Sequence, residues 1–191
     1  MPYGRRFEEA LEYAARVHRD QTRKGTRIPY VTHLLAVAAI VGENGGTENE
    51  VVAALLHDGP EDQGGEARLE DIRERFGDEV VGVVAGNTDT FEDPKPPWRE
   101  RKERYLAHLT NAPRSVRLVS SADKLHNART VLADYRLLGE DLWSRFNGKK
   151  EGTLWYYRGI VSALEGDGPI VEELDRVVTE LERLSAKPDS P

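Results

Sequence analysis

No cysteine occurs anywhere in the 191 residues. That excludes disulfide bonds, thiolate nucleophiles and zinc sites built on sulfur. Long apolar runs are missing too, and the longest stretches are far too short to cross a bilayer. The N-terminus shows no basic segment leading into an apolar stretch, so no secretory signal is expected. The expectation is a soluble, cytoplasmic protein with no membrane partner. A basic excess is also lacking. Lys and Arg number 27 against 34 Asp and Glu, a formal net charge of −7, whereas nucleic-acid-binding domains usually carry a positive surplus. The balance favours a small-molecule pocket over a polymer groove and predicts no nucleic-acid partner. A phosphorylated ligand would then need a local cluster of positive charge. The chain contains no repeats, no strand-like alternation and no linker long enough to divide it. Its length fits one domain with a substantial core.

What remains is helical almost throughout. Phe7, Leu11, Ala14, Ala15 and His18 recur at three- and four-residue spacing, as on one amphipathic helix. After a polar, Gly-broken loop from Gln21 to Arg27, Pro29 suits the first turn of a second helix that turns Leu34, Val37, Ala38 and Val41 inward. Asn44-Gly45-Gly46 ends it, and Thr47 is an N-cap for a third helix. That helix carries the apolar run from Val51 to Leu56 into His57-Asp58. Gly59 precedes Pro60 and is biased out of the α region, so the helix should break near Asp58. Glu61 and Asp62 would then sit on a new turn, and Gln63-Gly64-Gly65 would form a flexible tip. Further helices are expected at about Arg68–Phe76, Asp78–Asn87, Trp98–Leu109, Pro113–Leu138, Gly152–Leu164 and Ile170–Leu184. The segment from Phe91 to Pro97 is a Pro-rich loop. The expected architecture is one all-α helical bundle over residues 1–185, with a disordered tail at 186–191.

Four polar residues stand in apolar helical contexts: His33, His57, Asp58 and Asp123. Burying an unpaired carboxylate in such a segment is costly, and a metal ion would remove the cost, since imidazole and carboxylate are ordinary divalent-metal ligands. His33 alone reads as a core histidine, and a His-Asp dipeptide alone is common by chance. The set of four makes these residues metal ligands. Two imidazoles and two carboxylates suit Mn²⁺ or Fe²⁺, with Zn²⁺ as a further candidate, and leave coordination positions open for water and phosphate. Asp123, Asn127 and Thr130 fall at i, i+4 and i+7, so all three share one helix face, with Asn127 and Thr130 tilted towards the pocket. Glu61 and Asp62 are either helix N-terminal carboxylates or the groups that orient and deprotonate the attacking water. Either one can be the base.

These residues resemble the HD superfamily of metal-dependent phosphohydrolases, and within it the hydrolase domain of Rel/SpoT proteins and the small alarmone hydrolases. The likeness covers about residues 7–135. It rests on Ala14-Ala15-Arg16-Val17-His18 leading to Gln21-Thr22-Arg23-Lys24, on Ile28-Pro29-Tyr30-Val31-Thr32-His33 with Leu34 to Ala38, on Ala53 to Asp58 with Glu61-Asp62, and on Ala122 to Thr130. It implies an HD-type fold and a Mn²⁺-dependent 3′-pyrophosphohydrolase that converts (p)ppGpp, a small nucleotide, to GDP or GTP and pyrophosphate. By the same resemblance Glu61 and Asp62 are the catalytic pair, and Arg23 and Lys24 contact the nucleotide. Asn127 and Thr130 lie beside its ribose and phosphates. The chain departs from the family at Gly59-Pro60, where a β-branched pair is usual, and at Gln63-Gly64-Gly65, which replaces the usual Thr. The alternatives are an HD phosphohydrolase for another nucleotide and an alarmone-binding sensor that has lost turnover.

Overall fold

The computed structural model describes residues 3–92 and 94–186. Ten α-helices are defined among them: α1 (Arg5–Val17), α2 (Val31–Glu43), α3 (Glu48–Leu56), α4 (Gly59–Asp62), α5 (Gly65–Phe76), α6 (Asp78–Asn87), α7 (Trp98–Thr110), α8 (Arg114–Leu138), α9 (Lys149–Ala163) and α10 (Pro169–Ser185). Residues Gly139–Arg145 form a 3₁₀ helix between α8 and α9. No strand occurs among the described residues, where a single antiparallel bridge joins Thr22 to Pro29. The all-α expectation holds. Residues 187–191 of the expected tail, and Asp93 of the Pro-rich loop, lie outside the described residues.

Helix α3 is the axis of the bundle, packed by α1, α2, α6 and α8. Every residue from Glu50 to Leu56 is buried, which explains why its sequence is an unbroken apolar run rather than a periodic one. Its start is set by a capping box. The Thr47 hydroxyl accepts the Glu50 N–H at 3.3 Å, and the Glu50 carboxylate accepts the Thr47 N–H at 2.7 Å, so two otherwise orphaned donors are satisfied reciprocally. Helix α8 runs past α2, α3 and α6 and also carries α10. At the α6–α8 crossing a Cβ on Gly86 would come within 2.6 Å of a Val116 methyl, so the approach requires glycine. Helix α10 docks through Ile170, Val171, Leu174, Val177, Val178 and Leu181, all buried at helical spacing.

Several boundaries differ from the sequence expectation. Pro29 precedes α2 instead of opening it, and its carbonyl accepts the Thr32 N–H at 3.1 Å. On α1 the buried face is Ala10, Tyr13 and Ala14, while Ala15 is exposed. Tyr13 replaces it because its ring is apolar and its hydroxyl finds Asp71 at 2.5 Å. Helix α5 starts at Gly65, so the expected glycine tip shrinks to a turn with Gly64 at φ +123°. Helix α9 starts at Lys149, three residues early, with Lys149 itself at φ +52°. Lys150 pairs with Glu140 at 2.8 Å.

Candidate active site

Three stretches of chain meet at one point. His33 lies in the first turn of α2, His57 and Asp58 occupy the bend between α3 and α4, and Asp123 sits midway along α8. The bend forms where the sequence predicts it: α3 ends at Leu56, and Asp58 caps α4, whose first turn takes Pro60. His57 Nε2 is 3.0 Å from Asp58 Oδ2 and 3.7 Å from Asp123 Oδ1. His33 Nε2 is 3.4 Å and 3.2 Å from the same two oxygens. His33, His57 and Asp58 each bring a ligand atom within 4.8 Å of the others.

The surrounding bonds orient each group. His57 Nδ1 donates to the Ala54 carbonyl at 2.8 Å, so its Nε2 faces the cluster. That atom is buried without a hydrogen-bond partner. His33 Nδ1 is 2.8 Å from His126 Nδ1. Burial and the neighbouring His33 lower the His126 pKa to about 4. His126 is therefore neutral, and His33 turns its Nε2 to the cluster; a metal there would require His33 to donate its Nδ1–H to His126. Tyr30 donates to Asp58 Oδ2 at 2.7 Å; its own pKa is raised by burial and by the Asp58 charge, so it keeps its proton. Lys124 and Asn127 both donate to Asp123 at 2.5 Å.

Charge in the cluster is balanced by its neighbours. Burial works against charging His57, yet Asp58 and Asp123 raise its pKa well above the ordinary value. Burial likewise works against Asp58 and Asp123, but the His57 charge for the first and the Lys124 ammonium for the second hold both well below the usual carboxylate range. Two carboxylates thus persist at neutral pH facing the Nε2 atoms of two imidazoles, one of which, His57 Nε2, has no hydrogen-bond partner. A divalent cation that takes the place of the His57 proton would satisfy all four groups at once. The residues fit a metal.

Glu61 and Asp62 follow on α4 and have different surroundings. Glu61 accepts the Asp89 N–H and faces Lys95, each at 3.3 Å, so the Pro-rich loop reaches this side of the site. Asp62 is open to solvent at the rim and accepts from Gln21 Nε2 at 2.7 Å through Oδ2. Its pKa is raised by the enclosing protein and then by the Asp58 charge.

Beside the cluster lies a cavity of about 340 Å³. Arg23, Lys24, Asn127 and Thr130 all line it, as the sequence and the resemblance lead one to expect. Arg23 Nη2 donates to Asn127 Oδ1 at 2.8 Å, which links the loop before α2 to the α8 stripe. Tyr30, Lys124 and Asn127 form the wall shared with the cluster, since each lines the cavity and bonds a cluster carboxylate. Glu61 and Asp62 stand outside this lining. Sequence reasoning missed Tyr30, Lys102, Lys124, Arg145 and His126. Three of these carried a signal: Tyr30 lies three residues before His33, and Lys124 and His126 lie within three residues of Asp123. Lys102 and Arg145 have none, because only the packing of α7 and the 3₁₀ helix brings them to Arg23.

A helical bundle that gathers a histidine, a His-Asp pair and a distant aspartate around one point has the architecture of a metal-dependent HD-type hydrolase. The chain belongs to the HD domain family, whose sequence model matches residues 10–154. Guanosine-3′,5′-bis(diphosphate) 3′-pyrophosphohydrolase MESH1 of Xenopus tropicalis is 35% identical over 167 residues, covering 86% of this chain and 87% of that protein. GTP pyrophosphokinase of Streptomyces coelicolor is 40% identical over 129 residues; the match covers 66% of this chain and 15% of that much longer protein. Among solved structures, a metazoan orthologue of SpoT that hydrolyses ppGpp has a TM-score of 0.80 at 28% identity, with 95% of this chain and 98% of that one covered. No helix among the described residues is long and apolar enough to cross a membrane.

Proposed function

We propose that this chain is a metal-dependent (p)ppGpp 3′-pyrophosphohydrolase that releases pyrophosphate and leaves GDP or GTP. The observation that carries the reading is the juxtaposition of the His33, His57, Asp58 and Asp123 cluster with a cavity bearing Arg23, Lys24, Lys102, Lys124 and Arg145. The cluster supplies the reacting centre, and the cavity matches a nucleotide with phosphate groups at both ends. The relatives named for ppGpp hydrolysis cover most of the chain.

His33, His57, Asp58 and Asp123 would hold the metal; the mixed imidazole and carboxylate set admits Mn²⁺, Fe²⁺ and Zn²⁺, and the likeness to alarmone hydrolases points to Mn²⁺. When bound, that ion polarises a phosphoryl oxygen and acidifies water. The protein's own groups do the rest. Lys24, Lys102 and Lys124 offset phosphate charge, and Arg23 presents a planar guanidinium fixed by Asn127, suited to stacking on a purine or gripping phosphate. Water attacks the phosphorus next to the 3′ oxygen. Its oxygen joins that phosphorus, the bond from phosphorus to the 3′ oxygen breaks, and the 3′ oxygen leaves with a proton. Asp62 is the better acceptor for the water proton. Its raised pKa brings it closer to neutrality, and its Oδ1 has no partner among the described residues, whereas both Glu61 oxygens are engaged. Glu61 then orients the attacking water.

The test is hydrolysis of ppGpp by metal-stripped protein reconstituted with Mn²⁺. Mn²⁺-dependent release of pyrophosphate and GDP in equal amounts is expected. Intact ppGpp with metal-loaded protein, or release of orthophosphate, would overturn the substrate assignment.

A further inference from the structure

A chain of polar side chains runs from the end of α1 to Asp62, and the reaction described above leaves it unused. His18, at the C-cap of α1, is only 2% exposed. Its Nδ1 is 2.7 Å from Gln21 Oε1. Gln21 Oε1 also accepts from Gln63 Nε2 at 2.9 Å, and Gln21 Nε2 donates to Asp62 Oδ2 at 2.7 Å. The imidazole stacks on Tyr30, with ring centroids 5.3 Å apart, and Tyr30 in turn donates to Asp58. One buried ring therefore backs two carboxylates of the site.

The polarity of this chain is forced. An ionised carboxylate only accepts hydrogen bonds, so Gln21 must turn its NH₂ towards Asp62. Its carbonyl then faces His18, and a carbonyl also only accepts, so His18 must carry its proton on Nδ1. Gln63 fits the same direction, donating to the carbonyl and not competing for Asp62. A buried histidine with a single consistent tautomer, aimed at a glutamine with a single consistent flip, is costly to build unless its end point matters. That end point is the side chain assigned above as proton acceptor.

We propose that His18 and Gln21 are positioning residues for Asp62: the His18 Nδ1–H fixes the Gln21 amide, and that amide holds Asp62 Oδ2 so that Oδ1 is presented to the attacking water. The inference rests on the reading of this site as a pyrophosphohydrolase. Neither side chain lines the cavity. Their effect on turnover comes from holding one carboxylate in its reactive orientation, where a misplacement of about 1 Å can cost ~100-fold in rate.

The experiment compares wild type, Gln21→Met and Gln21→Glu in the whole Mn²⁺-loaded chain with ppGpp as substrate. Both substitutions keep the length of the side chain. Met can neither donate nor accept, while Glu still accepts from His18 and Gln63 but sets a carboxylate against Asp62 in place of a donor. The expected loss of kcat is about 10-fold for Gln21→Met and about 100-fold for Gln21→Glu, with KM and Mn²⁺ content within about twofold of wild type. A role in packing alone predicts the opposite order, because Glu is the closer isostere. Gln21→Glu as active as Gln21→Met, or a raised KM with kcat intact, overturns the proposal. A second measurement needs no turnover. The ¹⁵N spectrum of His18 at pH 7 should show the neutral Nδ1–H tautomer, and an Nε2–H tautomer overturns the relay whatever the substrate. Wild-type protein that leaves ppGpp intact would sink the functional reading separately, since the His18 spectrum decides the geometry on its own.

Discussion

Tyr30→Phe removes a single oxygen and isolates one bond. The ring of Tyr30 has three other contacts: it stacks on His18, meets His33 edge-on with centroids 5.5 Å apart, and lies under the Arg23 guanidinium at 5.9 Å. Phenylalanine keeps all three, because none uses the hydroxyl. What disappears is the 2.7 Å hydrogen bond to Asp58 Oδ2, the oxygen that also lies nearest to His57 and His33. A hydrogen bond to a charged group contributes about 1.5–3 kcal/mol. At about 1.4 kcal/mol per factor of ten, that is roughly a 10- to 100-fold loss of affinity for a metal that needs Asp58 in place. The range agrees with the usual cost of deleting a group that orients a metal ligand, also about 10- to 100-fold. Competition against a fluorescent chelator measures Mn²⁺ affinity directly. Turnover at saturating Mn²⁺ should then recover to within a few-fold of wild type, because the substitution weakens loading and not the proton transfer. Unchanged Mn²⁺ affinity would refute the reasoning, since it would mean that Asp58 holds its orientation without Tyr30.

Mn²⁺ at about 100 times its dissociation constant should add ~2.7 kcal/mol to stability. For a chain of this length that is a rise in Tm of about 5–11 °C. His57→Ala and Asp123→Ala should abolish both that rise and ppGpp hydrolysis; a preserved Mn²⁺-dependent shift in calorimetry would remove the residue from the ligand set. Arg23→Ala should raise KM for ppGpp about 10-fold with kcat little changed, since it loses a cavity contact and the Asn127 bond but no reacting group; an unchanged KM in steady-state assays would count against that contact. Leu174→Ala, in the fully buried face of α10, should cost about 2–5 kcal/mol in urea unfolding. Its kcat per folded molecule should match wild type below the transition, and a specific loss of kcat would show that α10 supports the site more directly than its packing suggests.

The four cluster residues were legible because each violates its surroundings: a charged or imidazole group in an apolar helix has to be explained by something other than solvent. The bend at His57-Asp58 was legible from Gly59-Pro60, and the start of α3 from Thr47 and Glu50. The start of α9 was not, because Lys149 enters the helix from a left-handed conformation that β-unbranched, charged residues rarely adopt. Nor was the 3₁₀ helix at Gly139–Arg145, whose three-residue repeat is too short to establish a period. Tyr13 was passed over for Ala15 because the sequence does not show that Asp71, 58 positions away, would take its hydroxyl. The sequence left Glu61 and Asp62 equivalent for the same reason. The two differ through Lys95, Asp89 and Gln21, none of which is their neighbour in the chain.

The cationic cavity in an acidic protein also depends on such long-range pairings. Four of its five basic residues already have polar partners: Arg145 faces Asp134 at 3.2 Å, Lys124 faces Asp123 at 2.5 Å, Lys102 faces Asp89 at 3.2 Å, and Arg23 donates to Asn127. Lys24 has no ion pair or hydrogen bond among the described residues. Three of the basic residues are thus neutralised by carboxylates while the cavity is empty, which limits the cost of gathering like charges in a low-dielectric cleft. An entering phosphate competes with those carboxylates for the same donors. Lys24 can bind it without giving up a partner, whereas Arg145 must turn from Asp134. Lys124 is the exception among the paired lysines. Half-buried, and with its pKa raised well above the ordinary value by Asp123 despite the desolvation, it keeps both its charge and its place on the wall between cavity and cluster. It therefore bonds Asp123 and lines the cavity at the same time.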